Sequence, residues 1–428
     1  MKLYPHQEAA LNRTVNMNRV AYFHDMGTGK TYTGSEKMVQ LGSRVNLIVC
    51  QKSKVNDWFK HFCEHYEYSK EVGYCGYTYN LTEPKGLKCF MEELNGLLPI
   101  YGIINYDLLW RRKELLNLKD FTLMLDESSL IQNQKSNRCK FILKMNPANV
   151  ILLSGSPVGG KYENLWSQIH LLGWDISEKT YNAHYVNWKK INIGGMVHII
   201  VDKTDPYKNV YRLKQKMREH GCDFLKTEEV FDLPEQNFIH VNVPITKEYR
   251  KFKKDKLVTV DGIEFVGDSI LSDRLYQRQL CTAYNPNKIE AFKDLLESTQ
   301  DRLIVFYQFN CELEVLKTVC DASERPVSIV NGSVKDLTAY EKESDSVTLV
   351  QYQAGAMGLN LQKSNKIIYF SLTESAEIWM QAHKRINRIG QNRPCFYYIL
   401  KCENSIEELI LDCLERGVDF TNELFKDI

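Results

Sequence analysis

The sequence predicts an α/β protein made of two parallel-sheet lobes with an inserted helical region between them. Three observations carry this. Short, near-continuous apolar runs alternate with helix-patterned stretches, and the alternation occurs twice. Chemically distinctive residues follow directly on the ends of the apolar runs, where ligands of parallel sheets sit. The 428 residues exceed one ordinary core. The expected division is 1–175 for the first lobe, 176–235 for the insertion and linker, and 236–428 for the second lobe.

In the first lobe a helix is expected from Pro5 to about Asn16, with proline at its tolerated first turn. Val20-Ala21-Tyr22-Phe23 reads as a strand, followed by a glycine turn and a helix from Thr31 to about Leu41. Val45 to Cys50, Ile100 to Asn105, Phe121 to Leu125 and Val150 to Leu153 read as further strands, and Val55 to Tyr66 as an amphipathic helix. Strands apolar throughout their length indicate a sheet covered on both faces. From Gly173 to Pro234 the pattern loosens: Gly194-Gly195 suggests a turn between polar strands, and Tyr207 to His220 a basic helix. Helices are expected from Thr246 to about Leu257 and from Ser269 to about Ser298. The second alternation runs through Leu303–Tyr307, Val327–Val330, Val347–Val350, Ile367–Phe370 and Phe396–Leu400, with helices at Glu312–Val319 and Ala376–Arg388.

Composition excludes several classes. A hydrophobic content of 43% with 25% charged residues describes a soluble globular chain. The net charge of +1 announces no nucleic-acid partner, so any such binding must use a local track. The 12 cysteines form no Cys-x-x-Cys pair and read as thiols of a reducing compartment, without a zinc ribbon. The N-terminus lacks an apolar signal core and no run is long enough to span a bilayer, which gives the expectation of a cytoplasmic or nuclear protein with no membrane partner.

Asp25-Met26-Gly27-Thr28-Gly29-Lys30-Thr31 lies between an apolar run and a helix-like stretch. Strand, glycine turn, Lys-Thr and helix form the arrangement that cradles a nucleoside triphosphate. Backbone N–H groups point at the phosphates. Lys30 would neutralise the β and γ phosphates, and the Thr31 hydroxyl would help hold Mg²⁺. Asp126-Glu127 follows Phe121–Leu125: the first acid suits Mg²⁺, and the second can orient or deprotonate an attacking water. Either motif alone has a bland alternative, a helix-capping turn or an acidic cap. In Gln381–Gln391, Arg385 and Arg388 stand three apart, which on a helix gives them one face. Planar guanidinium groups suit the charge of a transferring phosphoryl group.

Together these residues resemble a superfamily two nucleic-acid motor, and within it the Swi/Snf-type double-stranded DNA translocases. Pro5-His6-Gln7 is similar to the family's adenine-reading element, Asp25–Thr31 to its phosphate loop and Asp126-Glu127 to its acid pair. Leu152–Pro157 resembles its coupling segment, and Gly355-Ala356-Met357-Gly358-Leu359-Asn360-Leu361 the motif touching nucleotide and DNA. Arg385, Arg388, Ile389, Gly390 and Gln391 resemble its two-arginine element, and Ser405–Glu408 its following helix. The resemblance implies tandem RecA-like lobes and an ATP- and Mg²⁺-dependent DNA translocase. ATP would be held by Gln7, Met26, Gly27, Thr28, Gly29, Lys30, Thr31, Gly358 and Asn360. Lys30, Asp126, Glu127, Arg385 and Arg388 would be catalytic, and Thr31 and Asp126 would hold the metal. It further implies DNA backbone contacts from Gln51, Lys52, Asn105, Tyr106 and Lys161 of the first lobe, and from Gln308, Asn331, Ser333 and Gln353 of the second. A monomer is expected, with double-stranded DNA as partner and a protein partner in replication, repair or defence left open.

The chain departs from the family pattern at four places. Ser128-Ser129 replaces the small residue and His that follow the acid pair, His24 and Asn387 are unusual at their positions, and Gln353 stands where a basic residue is common. Two alternatives remain at this point: a strand-separating DNA or RNA helicase, and a nucleotide-binding scaffold whose hydrolysis is impaired through Ser128-Ser129.

Overall fold

The strands form where Val, Ile, Leu and aromatic residues run together, and their burial shows why these runs do not alternate with polar residues. The computed structural model describes residues 2–66, 77–193, 195–355 and 359–425. Packing divides the chain into two units, 1–230 together with 419–428, and 231–418.

The first unit contains β1 (Arg19–His24), β2 (Val45–Cys50), β3 (Tyr77–Asn80), β4 (Ile100–Asn105), β5 (Phe121–Asp126), β6 (Asn149–Leu153), the antiparallel pair β7 (Trp188–Ile193) and β8 (Met196–Val201), and β9 (Cys222–Leu225). Its seven-stranded sheet has the order β3-β4-β2-β5-β6-β1-β9, parallel throughout. Side chains alternate between two cores. Val20, Tyr22, Ile48, Met124 and Ile151 face one, packed with Met38, Trp58 and Phe62 from α2 (Lys30–Leu41) and α3 (Val55–His65). Ala21, Phe23, Leu47, Val49, Leu123 and Leu152 face the other. Both faces are covered, so both sets must be apolar. A Cβ at Gly34 in α2 would lie 2.9 Å from a Leu153 methyl carbon, so glycine there sets how closely the helix approaches the sheet.

The second unit contains β10 (Gln236–Val243), the hairpin β11 (Leu257–Val260) and β12 (Ile263–Val266), β13 (Leu303–Tyr307), β14 (Val327–Val330), β15 (Lys335–Asp336), β16 (Val347–Gln351), β17 (Lys366–Tyr369) and β18 (Cys395–Cys402). The sheet order is β10-β18-β17-β13-β16-β14-β15, parallel apart from β14–β15. A buried ion pair fastens the Pro286–Glu297 helix to the helix that begins at Ile406: Lys288 Nζ donates to both Glu407 carboxylate oxygens at 2.7 and 2.8 Å. Glu407 also accepts from the Cys402 N–H at the end of β18.

Several sequence expectations change. Residues 176–230, expected as an inserted helical region, group with the first unit, because β9 pairs with β1 and completes the sheet. The stretch from Ser269 to Ser298 is two helices, Ile270–Cys281 and Pro286–Glu297, since Pro286 cannot continue a helix and Asn285 caps the second. The helix expected to reach Arg388 ends at His383. Among the described residues no helix is long and apolar enough to cross a membrane.

Each unit holds a buried histidine in its neutral form. Burial lowers His61, whose Nε2 lies 2.9 Å from Ser35 Oγ, to about 4, and the nearby His65 adds to this. Burial likewise lowers His383, whose Nδ1 lies 2.6 Å from the Trp379 carbonyl, to about 4. The unfolded value is about 6.5, so below it the unfolded chain binds more protons. The stabilisation is therefore complete above pH about 6.5 and is lost as pH falls toward 4, by about 3 kcal/mol for each histidine. Urea midpoints at pH 7.5 and 5.0 should fall with acidity, and His61→Gln should shrink the fall in the first unit; equal slopes would show that His61 does not titrate this way.

Candidate functional site

The candidate site is built at the carboxyl ends of three neighbouring strands, β1, β6 and β5. From β1 the chain enters the loop Asp25–Gly29 and then α2. Gly27 and Gly29 adopt φ of +86° and +79°, a region that glycine occupies without Cβ strain. Gly29 caps α2, so the free N–H groups of its first turn face the loop. The loop is held from several sides. The Thr28 hydroxyl and the Lys30 ammonium donate to the Asp25 carbonyl at 2.8 and 3.1 Å, and Thr227 Oγ1 donates to the Met26 carbonyl at 2.8 Å. The Asp25 N–H donates to the Leu225 carbonyl at 2.8 Å, at the end of β9.

Gln7, in α1 (Pro5–Arg13), is buried, and its Nε2 donates to the Gly29 carbonyl at 3.0 Å. Its Oε1 accepts from the Tyr4 N–H at 2.8 Å. This side chain is therefore tied to the phosphate loop as well as being matched to the adenine-reading element. His24, where the loop pattern has glycine, is fully buried, with Nε2 2.7 Å from Asp223. Arg13 donates to both oxygens of the same carboxylate, at 2.6 and 2.9 Å. Burial works to raise Asp223, but the bonds from His24 and Arg13 outweigh it and hold the carboxyl below its usual range; burial lowers His24 in turn. A neutral His24 thus bonds a carboxylate already neutralised by Arg13, which joins α1, β1 and β9 beneath the loop.

Asp126 is the last residue of β5. Its Oδ2 accepts from the Trp58 indole N–H at 2.8 Å. Burial raises its pKa, opposed by that bond and by the charges of Lys30 and Lys54. Glu127 adopts φ +52° and ψ +60°, costly for a non-glycine residue by about 1–3 kcal/mol. The Tyr106 hydroxyl donates to the Asp126 carbonyl at 2.9 Å and lies 3.4 Å from that of Glu127, bracing the turn. After β6, Gly155 lies against the loop: a Cβ there would stand 3.5 Å from Lys30 Nζ. Thr31 and Asp126 supply hard oxygen donors of the kind Mg²⁺ takes, and the loop supplies N–H donors and one ammonium, which fit a triphosphate.

The expected DNA contacts divide. Lys52 and Lys161 are exposed and Gln51 is half-buried, after β2 and β6. Gln308, Asn331, Ser333 and Gln353 follow the carboxyl ends of β13, β14 and β16, with Ser333 and Gln353 exposed. Asn331 Oδ1 accepts from the Ser333 and Val334 N–H groups, so it also shapes the turn between β14 and β15. Asn105 and Tyr106 are both buried, and the Tyr106 hydroxyl donates to the acid-pair backbone.

In the second unit, Arg385 and Arg388 lie in the turn after the Ala376–His383 helix, which corrects the shared helical face. Arg385 is buried, with Nη1 donating to the Leu359 carbonyl at 3.3 Å. Arg388 is half-buried, and desolvation lowers its pKa. Asn387 Nδ2 donates to the Pro234 carbonyl at 3.0 Å, and Gln391 Nε2 donates to the Gln362 and Ser364 carbonyls at 3.0 and 2.8 Å, so these motif residues hold the turn. Asn360 is exposed, and Gly358 lies outside the described residues.

Two substitutions test this geometry. Gly29→Ala forces an L residue to φ +79° and places a Cβ 2.4 Å from Gln7 Nε2. Affinity for Mg·ATP in a fluorescent-nucleotide titration should fall by roughly tenfold or more, since left-handed backbone alone costs about 1–2 kcal/mol. Trp58→Phe keeps the ring and removes the Asp126 donor. A hydrogen bond to a charged group contributes about 1.5–3 kcal/mol, so the Mg²⁺ concentration for half-maximal phosphate release should rise roughly tenfold. An unchanged Mg²⁺ curve would leave Trp58 as core packing only.

Comparison with known proteins agrees with this geometry. The SNF2-related domain model matches residues 6–291, and the helicase conserved C-terminal domain model matches residues 287–390. The ISWI chromatin-remodeling complex ATPase ISW1 of Saccharomyces cerevisiae is 21% identical over 96% of this chain and 39% of its own length. The DNA repair and recombination protein RAD26 of the same yeast is 25% identical over 69% of the chain and 31% of its own length. The uncharacterized ATP-dependent helicase MG018 of Mycoplasma genitalium is 23% identical over 73% of the chain and 31% of its own length. The chain thus spans well under half the length of these relatives. A family model covering more than half of the chain, over a glycine loop and an acid pair on the two strand ends that flank β6, shows that the chain belongs to the SNF2-related family.

Proposed function

We propose that the chain is an ATP-dependent translocase on double-stranded DNA. The observation that carries this is the placement of Lys30, Asp126-Glu127 and Ser154-Gly155-Ser156 on adjacent parallel strand ends in a chain of the SNF2-related family. Thr31 and Asp126 would hold Mg²⁺, which would supply positive charge to the phosphates. The loop N–H groups and Lys30 would bind and orient the triphosphate, and Gln7 is proposed as the reader of its base. Glu127 sits on a braced, left-handed turn and accepts the proton of the attacking water. Arg385 and Arg388 supply positive charge to the γ-phosphoryl group. Support for that role is the Arg385–Gln391 pattern and the half-buried seat of Arg388, since a desolvated guanidinium interacts more strongly with phosphate than a hydrated one.

Lys52, Lys161, Gln308, Ser333 and Gln353 are proposed to touch the DNA backbone. Such contacts hold a duplex without reading its sequence. The relatives' names speak of chromatin remodelling, repair and helicase action; for this chain the proposal goes no further than duplex movement.

ATPase rates without nucleic acid and with single strands, duplex DNA and RNA test the proposal. Duplex DNA should give the largest stimulation, and Lys30→Ala and Arg388→Ala should each abolish it. Binding should weaken with salt at a log–log slope of roughly −0.9 per phosphate neutralised. Triplex displacement without strand separation is the expected motor readout. Robust unwinding with no triplex displacement would instead mark a strand-separating helicase, and no stimulation by any nucleic acid a nucleotide-binding scaffold.

A further inference from the structure

The two serines after the acid pair mark a point where this chain leaves its family's pattern, and both are buried. Ser128 Oγ donates to Gln168 Oε1 at 2.7 Å, and Gln168 Nε2 donates to the Pro157 carbonyl at 2.6 Å. Gln168 is fully buried, so its amide meets two protein partners and no solvent. A second amide runs alongside. Asn164 Nδ2 reaches Gln132 Oε1 at 3.0 Å, in the segment that follows the acid pair, and the Val158 carbonyl at 3.4 Å. The Val158 carbonyl also accepts from the N–H of Lys161 at 3.0 Å. Ser167 Oγ adds a third tie, to the Ile131 carbonyl at 2.8 Å.

We propose that Gln168, assisted by Asn164, is the positioning residue that couples the acid pair to the Ser154–Lys161 segment in this chain. The inference rests on the translocase reading for its biological meaning and on the hydrogen bonds for its mechanics. A buried amide held at both ends cannot let one partner move alone without leaving a donor or acceptor unsatisfied in low dielectric. Displacement of the Asp126-Glu127 turn on phosphate loss therefore drags Pro157 and Val158 with it, and Lys161 follows. Gln168 acts through the Ser128 hydroxyl on one side and the Pro157 carbonyl on the other.

The test uses Ser128→Ala/Gln168→Leu, which removes the Ser128–Gln168 bond from both ends and, with it, the amide donor to the Pro157 carbonyl. Two readouts are taken on the full chain. The first is ATPase kcat and KM with and without duplex DNA. The double variant should lose roughly tenfold in DNA-stimulated kcat, with basal kcat and KM for ATP unchanged, while Ser128→Thr, which keeps the hydroxyl, should retain stimulation. The second is hydrogen exchange of peptides covering residues 154–165, with and without a non-hydrolysable Mg·ATP analogue. The parent should show a nucleotide-dependent change there that the double variant lacks. A folded double variant that keeps full stimulation and the exchange change overturns the inference. If the parent itself is not stimulated by duplex DNA, the translocase reading fails and the exchange comparison alone decides the coupling. Should the double variant not fold, Ser128→Ala gives both readouts, with losses in the same direction expected and their absence decisive against it.

Discussion

Parallel pairing of β5, β6 and β1 is the constraint on which the site depends. Leu153 pairs with Asp126 on one side and with Tyr22 on the other, so the three strands end within about two residues of one another. The phosphate loop, the acid pair and the Ser154–Ser156 segment therefore emerge side by side without any long-range adjustment. Side chains alternate faces with period two, so a slip of one residue would send Tyr22, Met124 and Ile151 into the opposite core. The packing of the two covered faces thus fixes the register, and the register fixes the chemistry.

What the sheet delivers, a second layer of polar bonds then holds in place. The loop must keep Gly27 and Gly29 in left-handed conformations, and Glu127 must stay in a region that its side chain disfavours. Neither is maintained by hydrophobic burial alone. Thr227 and the end of β9 grip the loop from one side and Gln7 from another, while Tyr106 braces the acid-pair backbone. The Arg13–Asp223–His24 cluster explains how histidine is tolerated at the head of the loop: its ring points down into the unit, where a carboxylate accepts its proton-bearing nitrogen.

The legible parts of the sequence were those with one dominant signal. β2, β4 and β13 have the limits the apolar runs suggest, because a strand buried on both faces leaves few ways to place its ends. Edge strands were harder. β9 is four residues inside a polar stretch, and β10 mixes polar and apolar residues because only part of it is covered. At the site, glycine turns and acids after strands are visible because few other structures use them. Trp58 was hidden since an indole on an amphipathic helix looks like core, which it also is; only the distance to Asp126 separates the roles. Tyr106, which follows a strand end, is hidden in the same way: burial turns its hydroxyl inward onto the acid-pair backbone. A spacing of three between the arginines fits a helix and this turn alike, whereas Asn387 and Gln391 spend their amides on carbonyls of neighbouring segments and stabilise the turn.

The serines after the acid pair leave a route from it to the Ser154–Lys161 segment, because a hydrogen-bonded link is a geometric requirement that several side chains can meet. A serine at 128 is too short to reach Pro157 by itself, but it can reach a glutamine from the Trp166–Leu171 helix, which carries the bond onward. Two short bonds through a buried amide are stiffer than one exposed bond, since neither end can exchange its partner for water. Asn164 ties Val158 to Gln132, and Ser167 ties the helix that carries Gln168 to Ile131, which gives two further links to the stretch after the acid pair. The translocase proposed for this chain needs such stiffness here more than it needs any particular residue, and Ser128-Ser129 is compatible with it.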